Sequence, residues 1–214
     1  MFGYHGYKFD AELLLEYAFP APVYLAGIDE AGRGPLAGPV VTAAVVLPSD
    51  SRIYGLRDSK LVPPEQREAL YCEIMEGALD VEIAIIDSEE IDRVNILQAT
   101  LAGMRSCAQA LPIKPHLVLV DGNMRPGSGF LERALIGGDN LSASIMAASI
   151  VAKVTRDHIM REAHELYPHY GFHEHKGYSV PQHLEALRTH GPCPLHRRSF
   201  DPVRQALEGM CPTT

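Results

Sequence analysis

The sequence predicts an α/β fold, a mixed β-sheet covered by helices. Short apolar, β-branched runs come first. Helical periodicities follow or alternate with them, and acidic or turn residues close the strand-like runs. Residues 24–28 form an apolar run ending at Asp29 and read as a buried strand. Residues 40–47, closed by Pro48, and residues 81–86 give two more strands, so the sheet opens as a meander. Between them Pro63-Pro64 opens a helix with Leu70, Ile74 and Ala78 on one face and Glu65, Glu68, Glu73 and Glu76 elsewhere. A helix is expected over 91–111, stopped by Pro112. A strand over 117–120 ends at the turn signal Asp121-Gly122-Asn123. Residues 124–129 are a Gly/Pro/Ser loop, and 141–167 a long Ala-rich helix. A His/Gly/aromatic loop over 168–178 precedes a helix over 181–190 that Gly191-Pro192 ends. Asp201 as N-cap and Pro202 at the first helical position start a last helix over 202–208.

Composition bounds the function. The chain has 214 residues, is 46% hydrophobic and has a mean hydropathy of −0.04, so it is not disordered by composition. No apolar run approaches the ~20 residues of a membrane span. One domain over 24–208 is expected, with a small helical C-terminal region from about 168, an extension over 1–23 and a tail over 209–214. Lys+Arg 19 against Asp+Glu 27 gives a net charge of −8, which excludes nucleic-acid binding by bulk charge. That charge is uneven: residues 61–100 hold ten acidic and two basic residues, while the remainder is near neutral. Cys72, Cys107, Cys193 and Cys211 show no C-x-x-C spacing, and no signal peptide is evident, so a reduced, cytoplasmic protein is expected.

Chemistry is suggested by where carboxylates stand. Asp29 and Glu30 end the first strand, Asp121 ends the strand over 117–120, and Asp139 follows Gly137-Gly138 just before the long helix. In open α/β sheets, sites form outside the carboxyl ends of strands. Carboxylates gathered there repel one another unless cations neutralise them, and hard oxygen ligands suit Mg²⁺ or Mn²⁺. Two such ions could activate a water and stabilise a leaving oxygen in phosphoryl transfer. Simpler readings stand beside this one. Adjacent residues of a strand point to opposite faces, so Asp29 and Glu30 share a site only if the chain bends near Ala31-Gly32. Asp121-Gly122 is a common turn pair, and Asp139 could cap the next helix. Gly32-Arg33-Gly34-Pro35 is neither a Walker A loop nor a dinucleotide fingerprint, but glycines admit a close ligand and Arg suits phosphate. The His-rich stretch, with eight of ten histidines between His158 and His196, has no clean zinc spacing. Surface, packing or phosphate roles suit it better. His175-Lys176 and His196-Arg197-Arg198 are candidates for backbone contacts.

A series of motifs makes this specific. Gly27-Ile28-Asp29-Glu30-Ala31-Gly32-Arg33-Gly34-Pro35-Leu36-Ala37-Gly38-Pro39-Val40 closely resembles the opening signature of the ribonuclease HII family. Asp58-Ser59-Lys60, Asn95-Ile96-Leu97-Gln98-Ala99-Thr100 and Val120-Asp121-Gly122-Asn123 are similar to its next motifs. Gly138-Asp139 and the run from Ala147 to Asp157 follow. Tyr170-Gly171-Phe172, His175-Lys176-Gly177-Tyr178 and His196-Arg197-Arg198-Ser199-Phe200 complete the order. The resemblance covers nearly the whole chain. It implies a ribonuclease H-like fold and a metal-dependent endonuclease acting on RNA–DNA hybrids and on duplex DNA containing ribonucleotides, nicking 5′ of the ribonucleotide. It further implies that Asp29, Glu30, Asp121 and Asp139 are the catalytic, metal-binding acids. Gly32, Arg33 and Gly34 match the segment that senses the ribose 2′-OH, Tyr178 the ring that packs on the sugar, and Ser59 and Lys60 the phosphate contacts. Asp157 either supports the metal region or pairs with Lys153 and Arg161 on its own helix. The Gly-Arg-Gly form and the few residues ahead of Tyr24 favour ribonuclease HII over HIII. No protein partner is evident, a monomer is expected, and the rival reading is a non-catalytic hybrid-binding module.

Overall fold

The computed structural model describes residues 4–209, so residues 210–214 of the expected tail, with Cys211, lie outside the described residues. Five strands form one sheet in the order β3-β2-β1-β4-β5. They are β1 (Leu25–Ala31), β2 (Val40–Val46), β3 (Asp80–Ile86), β4 (Leu117–Asp121) and β5 (Glu132–Leu135). The sheet is mixed: β1 runs antiparallel to β2 and parallel to β4, and β4 runs parallel to β5. The helices are α1 (Tyr4–Tyr17), α2 (Pro64–Gly77), α3 (Ser88–Val94), α4 (Ile96–Ala110), α5 (Ala143–Leu166), α6 (Phe172–His175), α7 (Pro181–His190) and α8 (Asp201–Gly209). No helix among the described residues is long and apolar enough to cross a membrane.

The chain folds into two compact units that do not follow chain order. The first comprises Met1–Ala31, Val41–Ala84 and Leu101–Val154, and the second Gly32–Val40, Ile85–Thr100 and Thr155–Thr214. In the first unit the period-two alternation of β1 and β4 sorts side chains onto two faces. Ala26, Ile28, Val118 and Val120 pack with Ala44 and Val46 against Met104, Cys107 and Ala108, the apolar stripe of α4, and Leu111 just beyond its end. Leu25, Leu117 and Leu119 face the other way, onto Leu13 of α1 and Ile145 of α5. Gly27 shares that second face. A Cβ there would lie 2.1 Å from the Ser144 carbonyl carbon, so only glycine lets the start of α5 sit directly on β1. Asp10 of α1 fixes the same point, accepting from the Ser144 N–H at 3.0 Å and its hydroxyl at 2.9 Å. The second unit has its own small cores. Ala37, Met160, Tyr170, Phe172 and Cys193 form one, and Leu36, Leu187 and Val203 another.

Two expectations change, and two elements are additional. The helix expected over 91–111 is two helices, because Asn95 adopts φ 71° and its Oδ1 accepts from the N–H groups of Leu97 and Gln98, capping α4. The loop over 168–178 contains a 3₁₀ turn at Pro168–Tyr170 and the short α6. Strand β5 had no sequence signal, since Glu132-Arg133-Ala134-Leu135 lacks β-branched residues. Helix α1 lies within the stretch 1–23 expected only as an extension.

Candidate active site

Parallel pairing places the acids. Ile28 of β1 stands opposite Val120 of β4, so the next residues along the two strands are Asp29 and Asp121. Both continue the parity of Leu25 and Leu117, the face toward α5. Strand β5 then brings Asp139, because Leu135 pairs with Asp121 and the chain turns through Gly137 at φ 67° into a 3₁₀ turn at Gly138–Asn140. Carboxylate oxygens of Asp29, Asp121 and Asp139 all lie within 4.8 Å of one another. Asp29 and Asp139 are buried and Asp121 half-buried.

The electrostatics follow from that crowding. Burial first, then repulsion from Glu30 and Asp121, pushes the Asp29 carboxyl well above the ordinary carboxylate range. Hydrogen bonds from the Ser149 hydroxyl and the Glu30 N–H oppose the shift. Asp121 is raised by burial and by Asp139. Lys60 Nζ stands 3.4 Å from Asp139 Oδ2. Burial alone would lower the Lys60 ammonium, but Asp58, Asp139 and Asp29 outweigh it and raise it. Hard, converging oxygen donors whose mutual repulsion exceeds what one lysine relieves are a donor set fit for a divalent cation.

The other expected residues fall as follows. Glu30 is on the opposite parity of an unbroken β1, whose pairing runs on to Ala31, and is not a member of the three-acid cluster. Nor is Asp157. Asp139 does not cap α5; the Ser142 hydroxyl accepts the Ile145 N–H instead. Ser59 is buried with its hydroxyl bonded to Ser149 Oγ at 2.9 Å, whereas the Lys60 side chain is exposed. Gly34 and Tyr178 are neighbours in the second unit: a Cβ on Gly34 would lie 3.7 Å from Tyr178 Cε1. Tyr178 is 45% exposed, and the Arg156 guanidinium lies 6.0 Å from its ring centroid.

Two arginines carry roles that sequence reasoning missed. Arg197, expected as a backbone contact, is 0% exposed. Its guanidinium donates to the carbonyls of Gly32, Arg33 and Gly38. Arg156 donates to those of Ala37 and Pro39. Burial lowers them to about 9 and about 10, so both remain protonated at neutral pH. Between them they hold the turn from Gly32 to Pro39 in shape. The missed signal was an Arg flanked by apolar helix residues (Val154, Met160) near a turn rich in glycine and proline, whose carbonyls need donors.

Comparison with known proteins agrees with this geometry. The family described as Ribonuclease HII matches residues 26–203. The Ribonuclease HII of Xanthomonas campestris pv. campestris (strain B100) is 57% identical over 199 residues, 91% of this chain and 83% of that protein. The ribonuclease H2 structure from Pyrococcus horikoshii OT3 superposes with a TM-score of 0.76 at 29% identity, covering 87% of this chain and 98% of that one. The RNase HII of Archaeoglobus fulgidus, solved in complex with PCNA, gives 0.73 at 26% identity, over 83% and 95%. With the profile spanning most of its length and a mixed sheet that gathers three acids, the chain belongs to the ribonuclease HII family of metal-dependent hydrolases acting on RNA–DNA hybrids.

Proposed function

We propose that this ribonuclease nicks duplex DNA on the 5′ side of an embedded ribonucleotide as well as cutting the RNA of hybrids, with Asp29, Asp121 and Asp139 holding Mg²⁺ or Mn²⁺ and Glu30 adding negative charge beside Asp29. The observation that carries this reading is the convergence of Asp29, Asp121 and Asp139 oxygens within 4.8 Å, around an Asp29 whose carboxyl is raised by burial first and by acidic neighbours second. Bound divalent cations would supply the field that activates a water and offsets charge on the leaving oxygen. The chain's own groups do the rest. Asp29 and Asp121 hold the cations at the strand ends, and the Glu30 N–H keeps the Asp29 carboxylate oriented by its hydrogen bond at 2.7 Å. Lys60 offsets charge beside Asp139 and reaches a backbone phosphate, with Ser59 holding its turn through Ser149. Only Ala31 separates Glu30 from Gly32 along the chain, and Gly32-Arg33-Gly34 is the segment proposed to sense the sugar. The exposed Tyr178 ring beside Gly34 offers a flat apolar face for the ribose. Residues 24–208 act as one catalytic domain in this reading, supported by a family match that spans both compact units.

The test uses Mg²⁺ and three substrates: duplex DNA with one ribonucleotide, an all-DNA duplex and an RNA–DNA hybrid. Nicking of the first and third alone is expected. Asp121→Asn is expected to abolish turnover while leaving the circular dichroism spectrum unchanged. Cleavage of the hybrid without nicking at the single ribonucleotide would remove the junction activity, and near-native turnover by Asp121→Asn would remove Asp121 from the metal cage.

A further inference from the structure

We infer that His183 and His196 form a proton-ordered hydrogen-bond relay that fixes the Tyr178 backbone, making both histidines positioning residues for ribose recognition. This rests on the reading of Tyr178 as the sugar-packing residue. The two imidazoles are 0% and 2% exposed, deeper than any surface or phosphate role would allow.

The order of protons follows from the partners. The Cys193 N–H can only donate, and it points at His196 Nδ1 at 3.0 Å. His196 Nδ1 is therefore the acceptor, and in a neutral ring the proton sits on Nε2. That Nε2–H faces His183 Nε2 at 3.0 Å, so His183 Nε2 accepts and His183 Nδ1 carries its proton. His183 Nδ1–H then donates to the Tyr178 carbonyl at 2.9 Å. Every ring nitrogen has a partner, and each imidazole carries one proton. A buried polar chain satisfied throughout selects one arrangement of the loops it joins.

The loops it joins carry the proposed sugar contacts. Tyr178 O also accepts from the Val180 N–H, and the Tyr178 N–H donates to His175 O, which fixes the residue from three sides. The Gly177 carbonyl accepts from the Leu36 N–H, and His196 bridges Ala37, so the same segments meet the turn that continues from Gly34. The titratable groups facing the pair are His175, whose ring stacks 4.7 Å from His183, together with Cys193 and Tyr170. Burial keeps His175 and the Cys193 thiol neutral at pH 7, one lowered and the other raised. A metal role for the pair does not fit. The nitrogens meet at hydrogen-bond distance, and the metal-ligand cluster found among the described residues is the acidic one.

Two amides of opposite reach test the relay. His183→Asn places an N–H where Nδ1 stands and keeps the bond to Tyr178. His183→Gln reaches His196 and gives up that bond. On duplex DNA with one ribonucleotide, His183→Asn is expected to hold kcat/KM within about twofold, and His183→Gln to lose roughly tenfold, the scale of one hydrogen bond. In a Tyr178→Ala background the His183→Gln loss is expected to vanish, because the residue being positioned is gone. Equal behaviour of the two amides, or losses that multiply with Tyr178→Ala, would overturn the relay while Tyr178→Ala alone remains impaired. A silent Tyr178→Ala would instead overturn the sugar-packing reading itself, and the relay's role with it. Unfolding midpoints of both amides are measured alongside, and a kcat/KM loss that only tracks the midpoint also counts against the relay.

Discussion

The carboxylate cluster and the turn from Gly32 to Pro39 both concentrate buried charge, and they resolve it in opposite ways. In the cluster, Asp29 is desolvated and surrounded by more negative charge, from Glu30 and Asp121. In the turn, Arg156 and Arg197 are equally buried, yet backbone carbonyls accept from Nε, Nη1 and Nη2 of Arg197 and from Nε and Nη2 of Arg156, whose Nη1 alone is left without a partner. Charge that the fold itself satisfies is structural. Charge that the fold leaves at odds with itself is waiting for a ligand of opposite sign.

Neutralising one acid gives the largest expected effect and probes this contrast most directly. Asp29→Asn is expected to reduce turnover by at least about a hundredfold, the scale of losing a charge aligned with the transition state. The same substitution is expected to raise the urea midpoint in chelator, since it removes a buried, repelled charge. Added Mg²⁺ is expected to raise the wild-type unfolding free energy by about 2.7 kcal/mol at a hundred times its dissociation constant, and to do far less for Asp29→Asn. A drop in the chelated midpoint would show that Asp29 is satisfied after all, and the comparison would fail.

The opposite outcome is expected in the turn. Arg197→Met keeps bulk but leaves the carbonyls of Gly32, Arg33 and Gly38 without donors, at about 3–5 kcal/mol of stability. Urea unfolding measures this, and a loss under about 1 kcal/mol would mean water replaces the guanidinium. The sequence could not separate these two regions. It showed Asp29 and Asp121 because a strand end is marked by the residues that stop the apolar run, and Asp139 only as the acid after Gly137-Gly138 ahead of the long helix. It showed the breaks at Pro112 and Gly191 for the same local reason, whereas Asp201, expected as the N-cap, is the first residue of α8 itself and pairs with Arg204. What it hid depends on partners distant in the chain. Arg197 reads as an exposed cation until Gly32 and Gly38 supply the carbonyls, and β5 exists because β4 offers an edge rather than because of its own residues. Asn95 was visible but ambiguous, since a single Asn inside an apolar period signals a cap only when its side chain is seen to bond ahead.

Acid titration sharpens the contrast at smaller scale. In the second unit, burial and the neighbouring His183 lower His196 to about 4 from 6.5. The unfolded chain therefore takes up the proton first as pH falls. His196 contributes on the order of 3 kcal/mol that is complete above pH 6.5 and lost toward pH 4. The groups facing it are His183, Cys193 and the Tyr170 ring. In the first unit, burial raises Asp10 to about 6 from 3.8, so its contribution is present at low pH and lost as pH rises through 6. The two slopes oppose each other. Asp10→Asn is expected to steepen the loss of stability between pH 7 and pH 4.5, measured by urea midpoints, and an unchanged slope would remove Asp10 as the counterweight.

The smallest effect is expected inside the Gly-Arg-Gly segment, where the two glycines answer to different demands. Gly32 has φ +97°, and a Cβ there would stand 2.0 Å from Arg156 Nε and 2.8 Å from the Pro39 carbonyl oxygen. Its lack of a side chain is what lets Arg156 close on the turn, so Gly32→Ala breaks the satisfied charge and lowers stability. Gly34 meets only the Tyr178 ring, at 3.7 Å, an ordinary contact. Gly34→Ala is expected to change the unfolding free energy by less than about 1 kcal/mol. Any need for glycine at 34 must then come from outside the chain, from a sugar brought against the backbone beside Tyr178. The measurement is kcat/KM for Gly34→Ala on the single-ribonucleotide duplex, with stability as control. A fall of several-fold at unchanged stability places the ligand there, and unchanged cleavage would move ribose sensing onto Arg33 and Tyr178.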